Sequence, residues 1–194
     1  MTATYNVLFA GVGGQGVISI AGLLARSAIA SGLEARLYGS YGMAQRGGMV
    51  SAHLRIGERV QNARIEIGRA HLLVGLELTE AVRWAHILSS EGVLIAADVL
   101  IPPVGKIIKD GGIGMRNLLG SFPSAMLVDV EGLSGPAGTR GVNAVLLGAA
   151  TSLEGFPVQA GNIEELIRQE AGSGSERLLE AFRKGRESLA RRGR

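Results

Sequence analysis

Gly11, Gly13 and Gly16 stand in the spacing G-x-G-x-x-G, between the apolar run Tyr5 to Ala10 and a second one, Val17 to Ala30. Bare backbone in such a turn can approach a phosphate, and the start of the following helix offers free N–H groups and a partial positive charge. Gly14 and Gln15 lie inside the same turn. A second reading stays open, in which the glycines only permit the turn and let helix and strand pack closely. A dinucleotide site places an acidic residue about 20 positions further on to hold the ribose. Here the next strand ends Leu37-Tyr38-Gly39-Ser40, and the nearest acid, Glu34, lies at its beginning, which argues against NAD.

The second glycine-rich loop runs from Gly39 to Gly48 and carries Tyr41, Gln45 and Arg46. In an open α/β sheet it falls on the same carboxyl edge as the first loop, where ligands bind. Arg46 could clamp a phosphate or carboxylate through two parallel hydrogen bonds, or form an ion pair between subunits. His53, His71 and His86 have no metal-ligand spacing, and there is no cysteine to help them. His53 falls on the polar face of its strand, which predicts an exposed or interface hydrogen-bonding role. No nucleophile elbow, Walker A lysine or paired-carboxylate pattern occurs. Nothing here reads as a self-sufficient catalyst.

The elements that must position these residues follow from periodicity. Tyr5 to Ala10 is a strand, Val17 to Ala30 a helix closed by Ser31-Gly32, and Leu33 to Tyr38 a second strand: a β–α–β unit with a right-handed crossover expected. Met49 to Ile56 alternates, with Val50, Ala52, Leu54 and Ile56 on one face and Met49, Ser51, His53 and Arg55 on the other. Such alternation predicts an antiparallel strand with one face in the core. Gly57-Glu58 reads as a hairpin turn into Arg59 to Ile65. Leu72 to Leu76 is a buried strand, Thr79 to Ser90 a helix capped by Gly92, and Val93 to Ala97 and Ala125 to Val130 are further strands. Helices follow at Asn143 to Leu153, Ile163 to Glu170 and Ser175 to Arg191. The expected fold is α/β: a three-layer, Rossmann-like, mostly parallel sheet with helices on both faces and an inserted antiparallel β-hairpin, in one domain over residues 1–194.

Between Val17 and Ala30 only Ser19, Arg26 and Ser27 are polar besides Gly22, so this helix needs cover on more than one side. A second chain, or this chain's own C-terminal helices, could cover Ile20, Leu23 and Leu24. Composition narrows the rest. The 194 residues are 46% apolar and 19% charged, which excludes a disordered chain, and 30 glycines beside 4% aromatics predict a core of small and branched aliphatic side chains. Zero cysteines exclude thiolate ligation of an iron–sulfur cluster, a cysteine nucleophile and disulfides. The net charge of +3 is spread along the chain except for a basic tail, read as a solvated helix, so neither nucleic acid nor membrane is expected as a partner. No apolar run is long enough to span a bilayer and Met1 to Asn6 has no leader character, so a cytoplasmic setting is expected.

Two stretches carry a resemblance: Phe9-Ala10-Gly11-Val12-Gly13-Gly14-Gln15-Gly16, then Tyr41-Gly42-Met43-Ala44-Gln45-Arg46-Gly47-Gly48. In that order they resemble the gamma subunit or domain of 2-oxoacid:ferredoxin oxidoreductases. The Met-Ala-Gln-Arg-Gly-Gly wording is most similar to the small (beta) subunit of the indolepyruvate branch. Ser51 to Gly57, Ile101-Pro102-Pro103 and Asn143 to Ala149 extend the match over about residues 5 to 170. Tyr41 departs from the His usual in the indolepyruvate branch, His71 from a frequent Asp, and Asn62-Ala63 from a common Ser-Pro.

The resemblance implies a subunit without cofactors of its own. A larger companion chain binds thiamine diphosphate and Mg²⁺ and carries the iron–sulfur clusters. Electrons from oxidative decarboxylation of a 2-oxoacid pass to ferredoxin, and coenzyme A takes the acyl group. On that basis the subunit is expected to pack against the companion, with Gly11, Gly13, Gly14, Gln15, Gly16 and Arg46 as candidates for contact with coenzyme A phosphate and Tyr41, Gln45, His53 and Asn143 as candidates for a substrate channel or interface. A stand-alone Rossmann-type oxidoreductase and a purely structural subunit are the rival readings.

Overall fold

The computed structural model describes residues 4–42, 48–102, 110–122, 124–135 and 138–190. Six strands form one mixed sheet in the order β2-β3-β1-β4-β5-β6, from β1 (Tyr5–Val12), β2 (Glu34–Tyr41), β3 (Met49–Gly57), β4 (Ala70–Gly75), β5 (Leu88–Ala97) and β6 (Ala125–Val128). The β1/β4, β4/β5 and β5/β6 pairs are parallel, whereas β3 runs antiparallel to both β1 and β2. The helices are α1 (Val17–Ala30), α2 (Leu78–Trp84), α3 (Ile113–Gly120), α4 (Val130–Ser134), α5 (Gly138–Ala150), α6 (Ala160–Ala171) and α7 (Ser175–Ala190).

The expected fold class is the observed one, with three local corrections. The first concerns the hairpin, which joins β2 to β3; residues 59–65 form no strand. Both edges of β3 are already taken by β1 and β2, so no ladder is left for a further partner. Instead the 58–65 segment crosses the sheet face. Val60 N–H donates to Glu34 Oε2 (2.8 Å) and Ile65 N–H to His53 Nδ1 (3.2 Å). As a result β2 runs in the same direction as β1 but lies one strand away from it.

The second correction is the helix expected over Thr79 to Ser90. It stops at Trp84, passes through a 3₁₀ turn at Ala85–Ile87, and gives way to β5 at Leu88. Gly92 caps no helix; it lies within β5 beside a register shift, where a Cβ would come within 2.8 Å of the Ala70 carbonyl. The third is burial of the polar face of β3. Ser51 and His53 are 2% and 4% exposed, because the second sheet face is covered too.

Two apolar cores result, one per face. The larger joins Phe9, Val74 and Ile95 to α1, α5, α6 and α7; the smaller joins Leu8, Leu73 and Leu94 to α2 and α3. Of the three α1 residues expected to need cover, Ile20 and Leu24 are buried by this chain's own sheet and helices, while Leu23 is only partly buried and borders a groove. The Arg26 guanidinium also grips Glu170 of α6 with two hydrogen bonds of 2.7 and 2.8 Å. Gly32 closes α1 as expected, at φ 82°, with Leu33 N–H bonded to the Ala28 carbonyl.

Helices α5 and α7 cross in close contact through Gly148 and Gly185. A Cβ at Gly148 would collide with the Phe182 carbonyl, and one at Gly185 with the Val145 carbonyl. Backbone cannot yield as a side-chain tip can, so Gly148→Ala is expected to lower stability by about 3 kcal/mol, the upper range for overpacking. Urea unfolding of the two proteins side by side measures it.

Candidate functional site

The glycine turn lies where expected, at the carboxyl end of β1. The chain leaves Val12, and Gly13 N–H bonds to the Gly48 carbonyl (2.8 Å), so the two glycine-rich loops meet here through their backbones. Gly14 and Gly16 adopt φ 101° and 76°, a region that side chains disfavour, and Gly16 is the N-cap of α1. At Gly11 the constraint is space: a Cβ would lie 2.7 Å from Gln15 Oε1.

Gln15 turns back under its own loop. Its Oε1 accepts from Val12 N–H (2.9 Å) and its Nε2 donates to the Leu76 carbonyl (2.8 Å), so one carboxamide ties the end of β1 to the end of β4. Asn143 reaches over from α5, and its Nδ2 donates to the Gln15 carbonyl (3.1 Å). Asn143 Oδ1 is buried and has no partner.

The first hydrogen bond within α1 is Ile20 N–H to the Gly16 carbonyl (3.0 Å), which leaves the N–H groups of Val17, Ile18 and Ser19 outside the helical ladder. No acidic side chain sits in this first turn and none caps it. The turn opens into a groove of about 740 Å³ between α1, α5, α6, α7 and the edge strand β2, bordered by Gly14, Gly16, Ser19, Leu37, Arg140 and Asn143. Its one carboxylate, Glu170, is held by Arg26. The groove is therefore built for an anion or a neutral polar group at its α1 end, with aliphatic walls beyond.

The structure brings Gly11, Gly13, Gly14, Gln15, Gly16 and Asn143 together, but places His53 elsewhere. His53 pairs with Leu8 in mid-sheet, on the opposite face from α1, between the rings of Tyr38 (5.7 Å) and Trp84 (5.8 Å). The Tyr41 backbone pairs with Val50, while its side chain and the whole of Gln45 and Arg46 lie outside the described residues. Glu77 was not singled out by the sequence reading. It is fully buried after β4 and accepts from Glu80 N–H (2.9 Å), Thr79 Oγ1 (3.1 Å) and Ile101 N–H (3.2 Å). The signal was present, since Glu77-Leu78-Thr79-Glu80 has the spacing of a helix-capping sequence.

Among the described residues no group of His, Asp and Glu could hold a metal ion, and no helix is long and apolar enough to cross a membrane.

Known proteins now place the chain. Residues 6–188 match the family described as pyruvate ferredoxin/flavodoxin oxidoreductase. Over 174 residues the chain is 33% identical to indolepyruvate oxidoreductase subunit IorB of Pyrococcus horikoshii and 34% identical to that of Thermococcus kodakarensis. Each alignment covers 84% of this chain and 85% of the relative. The gamma subunit of a keto/oxoacid ferredoxin oxidoreductase from Geobacter sulfurreducens has the same fold (TM-score 0.73, 24% identity, 97% of this chain and 98% of that one). A 2-oxoglutarate:ferredoxin oxidoreductase from Magnetococcus marinus contains it within a longer chain (TM-score 0.74, 17% identity, 97% of this chain and 31% of that one). The chain belongs to the pyruvate ferredoxin/flavodoxin oxidoreductase family. Within that family it is a subunit of a 2-oxoacid:ferredoxin oxidoreductase, and as a subunit it acts within a larger assembly.

Burial and the nearby Arg64 push the His53 imidazole down to about pH 4, and burial also lowers His71. The unfolded chain then binds protons near pH 6.5 that the folded one refuses, so stability falls as pH drops from about 6.5 towards 4. In His53→Gln, thermal unfolding between pH 7 and pH 4.5 should lose part of this dependence and retain the share due to His71.

Proposed function

We propose that this subunit serves an oxidoreductase acting on indolepyruvate or another aryl 2-oxoacid, and that it contacts the coenzyme A that accepts the acyl group. In this reading a larger companion chain holds thiamine diphosphate, Mg²⁺ and the iron–sulfur clusters and passes electrons to ferredoxin. The isolated chain is inactive. Identity above 30% to subunits named for indolepyruvate supports the substrate class. Zero cysteines support the assignment of the clusters to the companion.

One observation carries the coenzyme A contact: the uncapped start of α1 opens into a groove whose only carboxylate is already paired. A phosphate there would receive N–H donors from the first turn of α1, next to bare Gly14, with Arg140 on the opposite wall. Gln15 supports the turn from beneath, because both polar atoms of its side chain are already bonded to backbone. Arg46 supplies a second cation in the proposal. The aliphatic remainder of the groove suits the pantetheine arm.

The test uses the complex of this chain with its companion. Ser19 is exposed in the first turn of α1, where a carboxylate favours the helix but repels a phosphate. Ser19→Glu and Arg46→Ala are each expected to weaken coenzyme A binding about 10-fold, the effect of losing roughly 1.4 kcal/mol, and to leave thermal stability and the KM for the 2-oxoacid unchanged. Unchanged coenzyme A affinity in both would leave the glycine loops as structural turns. Turnover of pyruvate, branched-chain and aryl 2-oxoacids by the same complex tests the substrate class.

A further inference from the structure

Among the described residues, the edge of the sheet formed by β2 presents a row of backbone groups without partners, whose positions follow from the register. Gly42 N–H bonds to the Met49 carbonyl (2.8 Å), and the β2/β3 register continues this pair as Ser40 with Ser51, Tyr38 with His53, Arg36 with Arg55 and Glu34 with Gly57. Hydrogen-bonded and open positions alternate in an antiparallel ladder, so Glu34, Arg36, Tyr38 and Ser40 bond inward to β3. Ala35, Leu37, Gly39 and Tyr41 direct their N–H and C=O groups outward.

Soluble proteins blunt such edges with short strands, Lys, Pro or bulges. β2 has eight residues, no Lys, no Pro and no register shift, whereas β6 at the opposite edge has four residues. At the centre of β2 its two large apolar side chains are exposed, Leu37 by 37% and Tyr38 by 45%.

We infer that β2 is an interaction surface whose occupant is β2 of a second copy of this chain, paired antiparallel about a two-fold axis through Leu37. In this register Leu37 faces its own copy, and Ala35 faces Gly39 on each side. Every outward group from Ala35 to Gly39 gains a partner. The side chains are self-complementary as well. Leu37 meets Leu37 on the α1 face; on the other face Arg36 lies opposite Tyr38, a cation against a ring, and Glu34 lies opposite Ser40. No like charges oppose one another. A shift that puts Arg36 on the axis would set two guanidinium groups face to face, a repulsion that fixes the register. One sheet then runs through both copies, as in strand-addition complexes, with the closed symmetry common to homodimers.

The test exploits the absence of cysteine from this chain. In a hydrogen-bonded antiparallel pair the Cα atoms are about 5.5 Å apart, within disulfide reach. Mild oxidation of the full-length Leu37→Cys chain, alone and assembled with its companion, should give a species of twice 20.2 kDa on non-reducing gels. The Ile67→Cys chain, labelled at a site 75% exposed away from β2, should stay single. Leu37→Lys places two ammonium groups on the axis; by sedimentation it should have the monomer mass where the unaltered chain has the dimer mass, with a folded circular-dichroism spectrum and an unfolding temperature that no longer depends on protein concentration. A crosslink to the companion in place of a second copy, a monomeric unaltered chain, or a Leu37→Lys chain that stays dimeric would each overturn the inference. Because Leu37 also borders the α1 groove, these readouts are taken without coenzyme A, so that they report chain pairing and not ligand binding.

Discussion

One side chain organises the edge of the sheet on which the candidate site stands. The Gln15 carboxamide satisfies a donor at the end of β1 and an acceptor just past the end of β4, on the buried residues Val12 and Leu76. An unpaired group at either place would cost about 1–3 kcal/mol, so the two bonds pin the turn in one conformation. Gly11 must lack a side chain because the Gln15 oxygen occupies that volume. Gly16 must lack one because its backbone is left-handed, at φ 76°, and because a Cβ there would lie 2.7 Å from Asn143 Nδ2. With the turn held from beneath, the first turn of α1 faces outward with its N–H groups free.

A second constraint, shared by both layers of helices, is close approach. Aromatic residues make up only 4% of the chain, so contacts rely on backbones drawn together around small side chains. Gly148 and Gly185 do this between α5 and α7, and Gly75 does it between β4 and α2, where a Cβ would press on Ala81. Dense packing of this kind tolerates little change in volume. It also holds Asn143 on α5 in reach of the glycine turn, although 128 residues separate it from Gln15.

The family is one of oxidoreductases, yet the chain has no thiol with which to ligate an iron–sulfur cluster. Its polar resources are spent differently. Buried Glu77 caps α2, buried His53 receives the N–H of Ile65, and Asp129 caps α4 through Gly132 N–H. These groups hold loops against the sheet. Among the described residues, the first-turn N–H groups of α1 at the carboxyl edge lie outside the helical ladder, and such groups suit an anion.

The sequence by itself determined the α/β class, the strand–turn–helix unit at the start, the Gly32 cap and the kinship of the chain, because each rests on local periodicity, on glycine's access to positive φ, or on motif wording. It could not assign partners to strands. The alternation in Met49 to Ile56 indicates a strand, but insertion of β3 between β2 and β1 is a choice among sheet edges made by the whole core. That choice denied residues 59–65 a ladder, buried His53, and left β2 at the edge. Asn143 is legible as a motif residue, but its contact with Gln15 and Gly16 exists only once α5 docks. The role of Gln15 as a clasp likewise required β4 to lie beside β1. Local chemistry is written along the chain, whereas neighbours distant in sequence are decided by which apolar faces bury one another.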